Sequence, residues 1–143
     1  MTHTKGGLKM GFFKKVFEKL TKGFCYWVDM GALVEYMNQE LAFSLKNNLE
    51  ASAQFYIYYN NEKHKIVVWN YAASNFEDEK EKGIIVYFDD DEYKSIEEMV
   101  KNATIGGKKL KDIKESFEIE SIYLEIPFLK EYEKNHPRPT NNE

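Results

Sequence analysis

Two segments rich in tyrosine and valine, Gln54–Tyr59 (QFYIYY) and Ile66–Tyr71 (IVVWNY), flank the polar stretch Asn60–His64 (NNEKH). β-Branched and aromatic residues favour strands, and an Asn-rich stretch between two such segments supplies turn chemistry. The pattern therefore predicts a β-hairpin. Ile84–Phe88 (IIVYF) predicts a third strand. The acidic run Asp89–Glu92 (DDDE) is expected to end that strand, because adjacent like charges make pairing and burial costly.

Helices and a further strand are predicted around this hairpin. Apolar residues recur four apart after Asp29, which indicates a helix that has Asp29 as its N-cap and ends near Asn47–Asn48. Ser95 and Glu98 have the spacing of a capping box at the start of another helix. Alternating residues in Phe117–Glu125 predict a fourth strand. The predicted fold class is α+β, with an antiparallel sheet of about four strands, helices packed on one face, and N-terminal amphipathic helices.

The first 22 residues carry six lysines and one glutamate. Between Leu8 and Leu20 apolar residues recur at three- and four-residue steps with lysines on the other faces, which predicts a basic amphipathic helix. Most such helices pack on their own domain. The alternatives are weak contact with an anionic membrane surface and insertion into a partner's groove. Gly23 interrupts the pattern, and Phe24–Val28 (FCYWV) is either a strand or an extended crossing.

Length and composition indicate one domain. A chain of 143 residues with 43% hydrophobic residues can bury one core but is short for two. We expect residues 1–7 to be disordered, residues 8–134 to form a single α+β domain, and the Pro- and Asn-rich residues 135–143 to be a mobile tail. The single cysteine excludes an internal disulfide. No stretch approaches the roughly 20 apolar residues of a membrane span or matches a signal peptide, so we predict a cytoplasmic protein.

No catalytic, cofactor or metal signature is visible in the sequence. His3, His64 and His136 lie far apart, and none has another ligand at zinc-site spacing, so His64 is interpreted as an exposed residue of the hairpin loop. Cys25 is interpreted as a small apolar residue, because its neighbours match no thiol-enzyme context. Ile105–Lys109 (IGGKK) lacks the spacing of a phosphate loop, and its glycines are interpreted as a helix-ending turn. We therefore predict neither an enzyme nor a bound cofactor.

The segment from Glu77 to Glu98 holds ten carboxylates and three lysines, a net charge of −7. It is not an EF-hand loop, since Lys94 stands where that loop needs glycine. Gathered at one rim of the sheet, the carboxylates would attract a basic protein and repel nucleic acid, with tyrosines as anchors. An acidic face that only aids solubility is the alternative. The predicted partner-binding residues are Glu77, Asp78, Glu79, Glu81, Tyr87, Asp89, Asp90, Asp91, Glu92 and Tyr93.

Three stretches of the C-terminal half, Tyr93–Val100 (YKSIEEMV), Ile105–Ile113 (IGGKKLKDI) and Phe117–Ile122 (FEIESI), carry a family resemblance. Over about 30 residues they resemble small immunity proteins of bacterial polymorphic-toxin and contact-dependent inhibition systems. The resemblance implies an acidic protein that binds a cognate toxin domain, such as a basic nuclease, and blocks the toxin's active site. Two alternatives remain: a peripheral membrane or scaffold module that docks through the basic Phe-rich helix, and a small enzyme with an unrecognised site.

Overall fold

The computed structural model describes residues 23–121 and 124–139. The predicted disordered residues 1–7 and the predicted basic helix between Leu8 and Leu20 lie outside the described residues, as does the end of the predicted mobile tail. The described residues form an α+β fold with one large antiparallel sheet, which confirms the predicted class.

Eight strands occur in the described residues. In chain order they are β1 Phe24–Val28, β2 Ala51–Tyr59, β3 Glu62–Asn70, β4 Ile84–Phe88, β5 Asp91–Tyr93, β6 Thr104–Ile105, β7 Lys108–Lys109 and β8 Phe117–Ser121. Six of them form one sheet in the order β1-β8-β2-β3-β4-β5, in which every pair is antiparallel. Strands β6 and β7 form a separate small hairpin.

Four α-helices pack with the strands in the described part of the chain. They are α1 Met30–Asn47, α2 Glu77–Lys80, α3 Ile96–Asn102 and α4 Pro127–Asn135, with 3-10 turns at Tyr71–Ala73 and Leu110–Asp112. Both predicted N-caps are confirmed: Asp29 Oδ1 accepts from the Ala32 N–H at 2.9 Å, and Ser95 Oγ accepts from the Glu98 N–H at 3.0 Å. Each side chain satisfies a backbone donor that has no partner within its helix.

The central hairpin is confirmed, but its turn is shorter than predicted. Strand β3 begins at Glu62, and only Asn60 and Asn61 separate it from Tyr59 at the end of β2. Both asparagines have positive φ, 54° and 61°. Two such residues make the two-residue turn whose twist matches that of antiparallel strands. Residues 62–65 therefore belong to the sheet and not to a loop.

The prediction of about four strands is wrong, because β1 and β5 extend the sheet at its two ends. Phe24–Val28, whose type the sequence left open, pairs with β8. The acidic run does not end the sheet: Asp89 takes a φ of 54° and the chain turns back, so that Asp91 pairs with Phe88. The like charges are tolerated because β5 is an edge strand of the described sheet, on which the side chains of Asp91 and Glu92 are exposed to water.

Two predicted boundaries in the C-terminal half also need correction. Gly106 and Gly107 have positive φ as expected, but α3 has already ended at Asn102, and the glycines form the tip of the β6–β7 hairpin. Strand β8 ends at Ser121, whereas alternation predicted a strand through Glu125; residues 122–123 lie outside the described residues. In addition, the segment between the 3-10 turn at Tyr71–Ala73 and β4 contains the one-turn helix α2.

Alternate residues of the sheet face opposite sides. We call the side that carries Phe55 and Ile57 the inner face, because these side chains are fully buried in one cluster with residues of α1, α3 and α4, including Leu33, Met99 and Leu129. The Tyr36 ring of α1 meets the Phe55 ring edge-on, with 5.9 Å between centroids. The opposite side, the outer face, carries half-buried aromatic side chains such as those of Tyr56 and Tyr58.

The two edges of the sheet are protected by charged side chains. The outward N–H of Trp27 in β1 donates to Glu133 Oε2 of α4 at 2.8 Å. At the other edge β5 has only three residues, two of which are acidic. Short edge strands and charged side chains hinder pairing with another chain.

Loss of the Ser95 cap is expected to destabilise the fold. Ser95→Ala removes the oxygen that accepts the Glu98 N–H, so the free energy of unfolding should fall by about 1 kcal/mol. Urea denaturation followed by circular dichroism measures the change. Ser95→Thr keeps the acceptor and serves as the matched control. Equal stability of the alanine variant and the wild type would contradict the capping role.

Candidate docking surface

The predicted acidic residues lie along one edge of the sheet. They occupy α2 and the residue after it, the Asp89–Asp90 turn and the edge strand β5, together with Tyr87 of β4. We call this set, Glu77–Glu81 and Tyr87–Tyr93, the acidic edge. The first turn of α3 adds Glu97 and Glu98 close by. The chain thus places the −7 block at the end of the sheet, where no further strand of the described residues follows.

Strand pairing divides the acidic edge between the two faces of the sheet. Glu92 lies opposite Tyr87 on the outer face, whereas Tyr93 lies opposite the buried Val86 on the inner face. Because β5 is the last strand, both sides border the same rim. The surface therefore wraps around the edge of the sheet and does not form a flat patch on one face.

On the outer side, carboxylates surround a pair of tyrosines. The hydroxyl oxygens of Tyr71 and Tyr87 are 2.7 Å apart. Burial and this hydrogen bond raise the pKa of Tyr87, and the negative charges of Glu92 and Glu79 raise it further. Lys82 Nζ lies 2.9 Å from Glu79 Oε2 and 4.9 Å from the centre of the Tyr71 ring. Glu79, Tyr87 and Glu92 are thus brought together on the outer side.

On the inner side, Tyr93 packs against the core and has acidic neighbours. Burial raises the pKa of Tyr93, and the charges of Asp91 and Glu98 add to that rise.

The carboxylates on α2 and just after it are exposed, namely those of Glu77, Asp78 and Glu81, and Glu77 pairs with Lys80 at 3.5 Å. The acidic residues therefore lie at both ends of β4 and along β5, and not at one point.

His64 is not the exposed loop residue that the sequence suggested. It belongs to β3, its side chain is only 17% exposed, and its ring stacks on Phe88 with 4.9 Å between centroids. Its Nδ1 lies 2.6 Å from Asp89 Oδ2 and its Nε2 lies 2.8 Å from Glu62 Oε1. Burial lowers the pKa of His64, but the hydrogen bonds with Asp89 and Glu62 outweigh burial, and the net shift is upward.

Asp89 fixes the position of the acidic turn. Its Oδ1 accepts from the Lys65 N–H at 2.9 Å, and its own N–H donates to the Lys65 carbonyl at 2.8 Å. The turn is therefore attached to β3 by backbone bonds and by His64. This rigidity matters for binding, because a surface held in one shape loses little entropy when a partner docks.

Five acidic residues of the acidic edge have no ion-pair partner among the described residues. Within the edge, ion pairs involve only Glu77, Glu79 and Asp89. The remaining carboxylates are exposed to solvent, and they are Asp78, Glu81, Asp90, Asp91 and Glu92. Unpaired charges on an exposed rim remain available to an approaching cation.

The outer face carries aromatic and basic residues that the site prediction missed. Lys63 Nζ lies 4.2 Å from the centre of the Tyr56 ring and 5.7 Å from that of Tyr58. In the segment predicted as a mobile tail, Arg138 lies over the Trp27 ring at 4.8 Å and pairs with Glu118 at 3.1 Å. The signal was present in the sequence, because tyrosines and lysines alternate with the buried residues of β2 and β3.

Glu120 is a second residue that sequence reasoning missed. It lies on the outer face opposite Cys25 and is only 7% exposed. Its Oε2 accepts from the Gly23 N–H at 2.8 Å, and its Oε1 accepts from the Tyr58 hydroxyl. This carboxylate joins the start of β1 to β8 and β2. Alternation in β8 placed Glu120 on the polar side, but sequence alone does not show that a charged side chain becomes buried there.

Residues 23–121 and 124–139 lack both a metal-binding cluster and a membrane-spanning helix. These residues contain no group of three or more His, Cys, Asp or Glu side chains arranged to hold a metal ion. Nor does any helix among them have the length and apolar character needed to cross a bilayer.

The pH dependence of stability tests the His64 contacts. Since folding raises the pKa of His64, its contribution is complete below the ordinary value of about 6.5 and disappears as pH rises through the folded value. His64→Gln should therefore lower the free energy of unfolding by about 1 kcal/mol near pH 6 and by less at pH 9. Urea titrations at both pH values measure this. His136→Gln, a histidine that contacts Tyr132, is the control. A His64→Gln effect independent of pH would contradict the assignment.

Comparison with known proteins adds no relative. No protein-family model, curated protein or solved structure matches this chain.

Proposed function

We propose that this chain is a protein-binding module that captures a basic partner on its acidic edge, and that the partner is a cognate bacterial toxin domain which the module neutralises. The observation that carries the proposal is the set of five exposed carboxylates without ion-pair partners among the described residues, held on a rim with two half-buried tyrosines, Tyr87 and Tyr93.

In this proposal the negative charge of the acidic edge attracts the basic partner and orients it. Exposed charges interact over a Debye length of about 8 Å at physiological salt, so a cluster acts on a partner collectively where a single carboxylate acts weakly. A negative rim speeds encounter with a positive protein and disfavours acidic partners. Nucleic acid is repelled by the same field, which supports the expectation of no direct nucleic-acid binding.

Affinity requires apolar contact as well. Tyrosine is enriched among residues that dominate binding energy, because its ring buries area while its hydroxyl keeps a polar partner. Tyr87 is held by Tyr71, and Tyr93 packs against the core, so both rings are already ordered. Ordered anchors beside unpaired charges are what a tight interface with a basic protein requires.

A toxin domain suits this surface. Enzymes that act on nucleic acid carry basic clefts, and an acidic rim that wraps around a sheet edge has the convex shape and the charge to enter such a cleft. The resemblance of residues 93–122 to immunity proteins supports the same partner. Inhibition then follows from occlusion of the cleft and needs no reactive group on this chain.

Charge reversal tests the proposal. Asp90→Lys, Asp91→Lys and Glu92→Lys together should weaken binding to the toxin domain encoded by the neighbouring gene by about 100-fold, because attraction becomes repulsion at the interface. Titration calorimetry at low and at physiological salt measures the affinity.

The matched control reverses three exposed carboxylates elsewhere, Glu35→Lys, Asp112→Lys and Glu131→Lys, and so changes the net charge equally. We expect the control variant to bind within about threefold of wild type. Equal losses in both variants would show that only net charge matters. No loss in the first variant would place the interface elsewhere.

A further inference from the structure

A groove of about 330 Å³ lies between the C-terminal half of α1 and the end of the sheet where β2 begins and β8 ends. Three large apolar side chains on it remain open to solvent: Phe43, Leu49 and Leu124 are 57%, 44% and 69% exposed. Single exposed apolar residues are ordinary, but three around one groove form a patch of the kind that marks a contact site.

The groove arises because α1 is only partly covered. In its first half Leu33 and Met37 are fully buried against the sheet. Farther along the helix, Phe43 lines the groove and is 57% exposed, and Leu45 on another side of the helix is exposed as well. The C-terminal half of α1 therefore presents apolar side chains that the described residues do not cover.

The chain enters the described fold directly beside this groove. Phe24, the first residue of β1, pairs with Ser121, and Ser121 lines the groove. Gly23 is held there by its hydrogen bond to Glu120. Three residues, Thr21–Gly23, connect Leu20 to Phe24 and span up to about 10 Å. The preceding segment is thus tethered at the groove's margin.

The preceding segment carries apolar side chains that could cover those of the groove. On helical spacing it carries Leu8, Phe12, Phe13, Val16, Phe17 and Leu20. A helix from Leu8 to Leu20 would be about 20 Å long and the 18-residue α1 is about 27 Å long, so the segment can lie alongside α1 and cover its exposed half.

The lysines of the preceding segment favour its packing in the groove over its packing on the aromatic outer face. The outer face carries the exposed cations Lys63 and Lys65, which have no ion-pair partner among the described residues and would repel the four lysines of Leu8–Leu20. The groove has no lysine or arginine in its lining and includes the carboxyl group of Glu40, whose pKa is raised by burial. A lysine beside Glu40 would favour the ionised carboxylate again.

We infer that the basic amphipathic segment Leu8–Leu20 packs in this groove of its own chain, with its phenylalanines against Phe43, Leu49 and Leu124. A short tether gives the segment a local concentration in the millimolar range. A membrane or a second molecule therefore has to compete with a contact that is already formed. The acidic edge would also attract these lysines, and a crosslinking probe at Phe76, which is next to Glu77, distinguishes binding there from packing in the groove.

Photo-crosslinking of the full chain tests the contact. Benzoylphenylalanine at Phe43 should crosslink within one molecule to the N-terminal segment, which digestion with endoproteinase Glu-C releases as the single fragment 1–18 because Glu18 is the first acidic residue. Mass spectrometry identifies the linked peptides. The same probe at Phe76, which is 69% exposed against 57% for Phe43, is the control and should not reach that fragment.

A pair of variants adds a quantitative test. Phe13→Ser with Phe17→Ser removes two side chains from the apolar stripe and should lower the crosslinked fraction about tenfold. Lys15→Ser with Lys19→Ser changes the basic face at the same spacing and should alter it less than about twofold.

Three results would overturn the inference. A crosslinked dimer would show that a second copy fills the groove. Crosslinking of fragment 1–18 from a probe at Tyr56 but not from Phe43 would place the segment on the outer face. Absence of the fragment from the products of the Phe43 probe would show that the segment lies elsewhere, as expected if it serves a membrane or another partner.

Discussion

The pairing register of β2 with β3 is the constraint on which the other features depend. Side chains alternate across a sheet, so a slip of one residue would exchange the buried and the solvent-facing sets. The Asn60–Asn61 turn sets this register by allowing only two residues between the strands. With the turn fixed, Phe55 and Ile57 enter the core, while Tyr56 and Tyr58 face outward. Both the composition of the inner core and that of the aromatic outer face therefore depend on the Asn60–Asn61 turn.

The same register carries through β4 to the acidic edge. Phe88 lies opposite Ile66, so that its ring is buried and can support the ring of His64. Asp89 then stands next to β3, where it binds the Lys65 backbone and His64 together. The negative rim is therefore built on the sheet and held by backbone bonds. Its charge can be concentrated there because β5 is the edge strand of the described sheet and its acidic side chains are exposed to water.

Local patterns in the sequence were enough to predict the class of fold, the hairpin, the helix after Asp29 and the cap at Ser95. Each depends on neighbouring residues: strand propensity, helical spacing or a side chain that accepts an N–H a few positions away. The pairing of β1 with β8 could not be predicted in this way, because Phe24 and Ser121 are far apart in the chain. The turn at Asp89 was missed because a run of like charges suggested an end and not a reversal. His64 was misplaced for a related reason, since its carboxylate partner Asp89 comes from the turn after β4, 25 residues farther along the chain.

The contact between Trp27 and Glu133 has a consequence for the fate of shortened chains. Strand β1 is apolar and five residues long, and its outward N–H is occupied by a side chain from the last helix. Proteolysis or truncation before α4 would expose the edge of β1, whose residues are Phe, Cys, Tyr, Trp and Val, to pairing with another chain. Such a fragment would add strands from its neighbours and grow into aggregates. The C-terminal helix α4 therefore hinders pairing of the β1 edge with other chains. A chain whose synthesis ended before α4 would be prone to self-assembly.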